Sequence, residues 1–153
     1  MSPSPKRHRI TANANGGSIE QTIITHILQT FPTTQAIYLF GSFGTSDERP
    51  DSDIDIAVVL PFDMAKTASA GMHELSIDLM IQTGRAIDLV NLRAVDTILQ
   101  FEVISTGRRI AAPQRTERDL FEVVIIKSYQ HFNRERAAIV AHGLQTGMFY
   151  ARR

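Results

Sequence analysis

The run from Leu39 to Val59 constrains this chain more than any other stretch of it. An apolar segment, Ala36 to Phe40, leads into Gly41-Ser42. A polar loop follows, and Asp53-Ile54-Asp55-Ile56 opens a second apolar segment. Successive side chains of a strand point to opposite faces. Asp53 and Asp55 therefore share one face, while Ile54 and Ile56 bury on the other. Two close carboxylates repel, and one stays protonated unless a cation lies between them. A hard cation such as Mg²⁺ removes that conflict, since it takes oxygen ligands from one or two protein carboxylates and from phosphates. Gly41 has no Cβ, so its backbone can adopt a positive φ or approach a ligand closely. Ser42 adds a hydroxyl and a backbone N–H suited to a phosphate oxygen. The combination points to a site for a nucleoside triphosphate and its metal ions.

A third carboxylate extends the set. Arg85 to Leu92 reads as a short buried strand with one acid inside it, Asp88. Ile87, Leu89 and Asn91 share one face, and Asp88 shares the other with Ala86 and Val90. An acid in an apolar strand is costly unless paired or metal-bound. Placed beside the Asp53–Asp55 strand, it makes three converging carboxylates, enough for two ions that clamp the attacking and leaving oxygens of an in-line displacement. Each piece alone has a plainer reading: turn or cap acids, an ordinary Gly-Ser turn, an acid facing solvent. Their joint order and strand placement favour the site.

The rest of the chain alternates helix and strand. Ser18 can cap a helix whose apolar residues, from Ile19 through Ile23, Ile24, Ile27 and Leu28 to Phe31, form one face, with Pro32 ending it. Strands are expected at Ala36 to Phe40, Ile54 to Leu60 and around Asp88. The stretch Phe62 to Gly71 is ambiguous between loop and helix. Helices are expected at His73 to Thr83, stopped by Gly84, and at Val95 to Thr106, stopped by Gly107. After a short Arg109-to-Ala111 segment, Glu117 to about His142 reads as the longest helix. Leu120, Val123, Val124, Lys127, Phe132 and Ile139 supply its partly apolar stripe. These elements give an α/β (α+β) fold: a small mixed sheet flanked by helices, with a long C-terminal helix.

Composition narrows the function. The chain has 153 residues, 43% of them hydrophobic, which suits one domain with a real core. Residues 1–10 are expected to form a disordered basic tail and residues 11–153 a single domain. The formal net charge is zero, so no global basic field draws the chain to nucleic acid, and no DNA partner is expected. The absence of cysteine excludes disulfides, Cys-ligated zinc and cysteine catalysis. No apolar run is long enough to span a membrane. The basic N-terminal stretch lacks a following apolar segment, so a cytoplasmic protein is expected.

The Gly41-Ser42 and Asp53-Ile54-Asp55 pattern with its later Asp88 resembles the nucleotidyltransferase superfamily built on the polymerase-β-type fold. The chain is most similar to the minimal nucleotidyltransferases, and among these to the antitoxins paired with HEPN-domain toxin ribonucleases. The resemblance covers roughly residues 19 to 150. It implies that Gly41 and Ser42 hold the triphosphate of ATP, and that Asp53 and Asp55 bind two Mg²⁺ ions. It implies that Asp88 binds the catalytic metal and helps deprotonate the incoming hydroxyl. That family often has Ala-Arg-Gly after its Gly-Ser-aromatic start. Here Gly44-Thr45-Ser46 stands instead, so the arginine is missing at Thr45, and Arg49 is the basic residue left to substitute for it.

The resemblance further implies transfer of AMP from ATP to a hydroxyl, that of a tyrosine on a cognate HEPN ribonuclease toxin, which neutralises the toxin within a hetero-oligomer. Two alternatives remain: an antitoxin that neutralises by binding alone, and a small-molecule nucleotidyltransferase. The second would call for a further helical domain, for which little chain remains after Gly107. Arg136 and His142 match a HEPN ribonuclease spacing, but such domains are helical bundles and this chain carries three strands. The five histidines show no zinc spacing. Tyr129 and Tyr150 read as helix-packing residues, and Arg134-Glu135-Arg136 as a solvated helix face.

Overall fold

The computed structural model describes residues 18–147. The expected basic tail and Tyr150 lie outside that range. Ser18 caps the first helix, α1 (Ile19–Thr30), by accepting the Gln21 N–H at 3.0 Å. Its buried residues Ile19, Ile23 and Ile27 repeat every fourth position. The remaining elements are β1 (Ala36–Phe40), β2 (Ile54–Val59), α2 (Phe62–Ala65), α3 (Ser69–Thr83), β3 (Ile87–Asn91), α4 (Thr97–Thr106), β4 (Arg108–Ala111) and α5 (Arg115–Thr146). The ambiguous stretch after Pro61 is thus a single helical turn followed by the start of α3. Gly84 ends α3 in the left-handed conformation at φ 68°.

The four strands form one mixed sheet in the order β3-β2-β1-β4. β1 pairs antiparallel with β2 and β4, and β2 pairs parallel with β3. The fourth strand corrects the sequence expectation of three. Arg108 to Ala111 is short and carries two arginines, so its composition hides the pairing that β1 imposes.

Side-chain alternation divides the core into two layers. On one face Ile37, Leu39, Ile54, Ile56 and Val58 pack against α1 and α3. On the other, Tyr38, Ala57 and Val59 pack with Val103 of α4 and with Phe121 and Ile125 of α5. Tyr38 is fully buried, and its hydroxyl donates to Glu122 at 2.5 Å. Burial and that hydrogen bond push its phenol far above the ordinary tyrosine range.

The long helix does not bury the stripe expected of it. Leu120, Val123, Val124, Phe132 and Ile139 are exposed, whereas Phe121 and Ile125 are buried. One i, i+4 row is enough to seat α5, because the sheet behind it is already half covered by α4. Tyr129 does pack as expected, stacked on Phe101 of α4 with ring centroids 3.8 Å apart. The run Arg134-Glu135-Arg136 is solvent-exposed. His26 is half-buried and pairs with Asp78 at 2.8 Å, tying α1 to α3. Among the described residues, no helix is long and apolar enough to cross a membrane.

Candidate active site

The site forms where β1 ends and β2 begins. The loop that leaves β1 turns through two glycines with positive φ, Gly41 at 71° and Gly44 at 75°. Few other residues tolerate that region. Gly41 is needed for a second reason. A Cβ built on it would run into the carboxylate of Asp55, so the acid lies directly against the glycine backbone.

Ser42 sits between the two glycines. Its carbonyl accepts from the Thr45 N–H at 3.0 Å and from the Thr45 hydroxyl at 2.6 Å. Thr45, where the family pattern has arginine, therefore serves as a turn-closing residue.

Asp53 is exposed and lies one residue before β2, while Asp55 lies within it. Asp55 is paired in register with Asp88 across the parallel β2–β3 ladder and with Phe40 across the β1–β2 ladder. Residues in register on neighbouring strands point to the same face. Asp53, Asp55 and Asp88 therefore all lie on the face that α4 and α5 cover further along the sheet. Burial holds the Asp55 carboxyl above the usual carboxylate range, and the nearby charges of Asp88 and then Asp53 push it the same way.

The sequence-derived residues are thus brought together at one end of the sheet. They do not make a closed ion cage. Among the described residues, no three His, Asp or Glu side chains are arranged to hold a metal ion unaided. Mg²⁺ requires less, since one or two carboxylates suffice when substrate phosphates complete its shell. Hard oxygen donors, one carboxyl burdened by two like charges, and an open loop beside it all fit that cation.

Three residues that the sequence pattern did not single out organise the loop. Arg85, at the entry to β3, donates to the Ser52 carbonyl at 2.7 Å and to the Arg49 carbonyl at 3.3 Å. It also pairs with Glu48 at 3.2 Å and lies over the Phe43 ring at 5.5 Å. Glu48 in turn accepts the Gly44 N–H at 3.2 Å. Arg108 of β4 pairs with Glu20 of α1 and brings its guanidinium against Gly44. Arg49, expected to replace the missing arginine, has an exposed side chain, and the guanidinium groups set against the loop are those of Arg85 and Arg108. The only linear signal for them is a basic residue directly after a helix-stopping glycine, Gly84-Arg85 and Gly107-Arg108.

Comparison with known proteins agrees with this geometry. The family described as polymerase beta, nucleotidyltransferase matches residues 22–116. The protein adenylyltransferase MntA of Shewanella oneidensis is 36% identical over 121 residues, which is 79% of this chain and 84% of that one. A crystal structure of a toxin–antitoxin with AMP-PNP superposes with a TM-score of 0.67 at 34% identity, over 82% of this chain and 98% of the other. A structure of a tri-AMPylated Shewanella oneidensis HEPN toxin in complex with its MNT antitoxin gives a TM-score of 0.63 at 34% identity, over 82% and 96% of the two chains.

Proposed function

This chain belongs to the polymerase beta nucleotidyltransferase family, and on that premise we propose that it is an antitoxin that transfers AMP from ATP to a hydroxyl, that of a tyrosine, on a cognate HEPN ribonuclease toxin. The modification silences the toxin. The observation that carries this reading is the register of Asp55 with Asp88, beside a glycine loop that touches Asp55. The relatives named above support the acceptor and the partner: one is a protein adenylyltransferase, and another is bound to an AMPylated HEPN toxin. We place the activity in the cytoplasm, within one minimal nucleotidyltransferase domain spanning residues 11–153.

In this reading the loop at Gly41 and Ser42 receives the triphosphate. Asp53 and Asp55 would hold Mg²⁺, and Asp88 would share the catalytic ion. When bound, Mg²⁺ neutralises phosphate charge and removes the repulsion among the three acids. Asp88 accepts the proton of the acceptor hydroxyl. The hydroxyl oxygen bonds to the α-phosphorus, the bond to the bridging oxygen breaks, and pyrophosphate leaves with the electron pair. Arg85 and Glu48 act on the loop rather than on the reacting atoms. Catalysis of this kind rests on positioning and on charge neutralisation.

The test is transfer of labelled AMP from ATP to the cognate HEPN toxin, comparing wild type with Asp53→Ala/Asp55→Ala. Label on the toxin with wild type, lost in the double variant, is expected. A toxin silenced equally by both forms without label would overturn the enzyme and leave an antitoxin that acts by contact.

A further inference from the structure

A cavity of about 750 Å³ lies between β3, α2 and α3, and it opens onto the candidate carboxylates. Asp88 lines it near the start of β3, and Asn91 lines it about 10 Å further along the strand. Asp88 is exposed, so its carboxylate can be reached from the cavity that it lines. Past Asn91, Phe62 and Arg93 border the far end, and the same two residues open a second hollow of about 350 Å³ on the α4/α5 side. The two are therefore one continuous surface. Arg93 is fixed at the junction by three contacts. It donates to the Leu60 carbonyl and to Gln35, the latter at 2.8 Å, and it lies over the Phe121 ring at 4.9 Å.

The second hollow has the form of a helix seat. Phe121 and Ile125 of α5 are its floor, and Leu120 and Val124, the adjoining row of the same helix, are its wall. Two neighbouring i, i+4 rows leave between them the groove into which a ridge of another helix packs. Its rim is exposed: Phe62 to 69%, Leu120 to 63% and Val124 to 58%. Contiguous exposed apolar surface of this kind marks an interaction site, whereas scattered single residues do not. Lys66 lies over the Phe62 ring at 5.2 Å, and among the described residues no acid pairs with it.

We propose that this continuous face, from the α5 groove past Phe62 and along the cavity to Asp88, is where the acceptor protein docks. A helix of the HEPN toxin lies in the groove, and the toxin's acceptor side chain enters the cavity to reach Asp88. This docking rests on the adenylyltransferase reading above and names the surface through which that site receives its substrate. Two constraints choose the occupant. A protein whose hydroxyl is to meet Asp88 must cover the surface adjoining Asp88, and this face is the exposed apolar surface that leads there. A HEPN domain is a helical bundle, so what it offers is a helix, and the paired rows of α5 accept one. Lys66 sets the polarity of the contact. An acidic residue of the toxin beside Phe62 would pair with it where groove and cavity meet, and such pairing fixes the register of the docked partner.

The chain has no cysteine, so one introduced cysteine carries a photo-crosslinker at a single defined position. In the full chain, Leu120→Cys is expected to crosslink to a helix of the HEPN toxin, and Ile81→Cys is not. Ile81 is 72% exposed but lies on α3, outside both hollows. Leu120→Glu/Val124→Glu is expected to raise the KM for the toxin about tenfold or more, and Ile81→Glu to leave it at the wild-type value. All these positions are exposed, so melting temperatures should match wild type, and AMP-PNP with Mg²⁺ should still raise them. Three results would overturn the docking face: a Leu120→Cys crosslink only to a second copy of this chain, toxin captured as readily from Ile81→Cys, or a double glutamate variant with the wild-type KM. The two readings fail apart. Wild type that labels the toxin while Leu120→Cys captures none overturns the docking face alone. Toxin captured by Leu120→Cys but left unlabelled by wild type overturns the adenylyltransferase reading and leaves the toxin's seat on α5 standing.

Discussion

The carboxylate of Asp55 occupies the space that a Cβ on Gly41 would need. The glycine loop and β2 are therefore held in contact at one point, and a single methyl group would force them apart.

Gly41→Ala is expected to lower AMP transfer about 100-fold, the scale of loss that follows from misplacing a reacting group by an ångström. Gly84→Ala is the matched control. Gly84 also has a positive φ, 68°, but nothing lies within 4 Å of a Cβ there. It should cost about 1 kcal/mol of stability through backbone strain and leave transfer intact. Thermal melts and transfer assays on the pair separate strain from collision.

Asp55→Asn is expected to abolish transfer yet melt at or above wild type at neutral pH. The Asp55 carboxyl is raised by burial and by Asp88 and Asp53, so the folded state holds its proton more tightly than the unfolded chain does. Stability is therefore lost as pH rises from the ordinary aspartate value of about 3.9 through the higher folded-state value. The variant escapes that loss, and its advantage should vanish near pH 3, where both states are protonated. Because the group is only partly buried, the gain stays under about 1 kcal/mol. Mg²⁺ with AMP-PNP should stabilise wild type more than the variant, which checks the metal assignment in the same melts.

Arg85→Ala is expected to raise the KM for ATP about tenfold with a smaller effect on kcat, since the arginine orders the loop and does not reach the reacting atoms. Arg85→Lys should recover little. The native side chain donates to two carbonyls and a carboxylate at once and lies over Phe43, a geometry that needs the planar fork.

Tyr38→Phe should cost about 1 kcal/mol and leave transfer unchanged. It removes the buried donor to Glu122, which keeps Arg109 as its remaining partner at 3.3 Å. Chemical denaturation with the transfer assay distinguishes this from any catalytic role.

Much of the fold and the core of the site can be read from the sequence, because both depend on local periodicity. Ser18 marks a helix start by its side-chain cap, and Gly84 marks a helix end by its left-handed backbone. Ile54 and Ile56 bury while Asp53 and Asp55 turn away, as strand alternation requires. The parts that stayed hidden depend on long-range contact. β4 exists because β1 pairs with it, and its own residues give little strand signal. The buried face of α5 is Phe121 and Ile125, not the longer row of apolar residues beside it, because only one row meets the sheet. Arg85, Glu48 and Arg108 reach the glycine loop through side-chain length across turns, which no spacing along the chain records.

Parallel neighbours cannot be joined by a tight turn, so after Val59 the chain must leave the sheet, build α2 and α3, and return before Asp88 meets Asp55. During synthesis Gly41, Ser42, Asp53 and Asp55 emerge well ahead of their third acid, and β4 emerges later still. A nascent chain ending within α3 has the glycine loop and two of the candidate carboxylates but not Asp88, and no β3 beside β2. Chains lengthen at about 5–20 residues per second, and non-local pairings close last. The candidate site is therefore incomplete on the ribosome until the crossover that brings Asp88 beside Asp55 has closed.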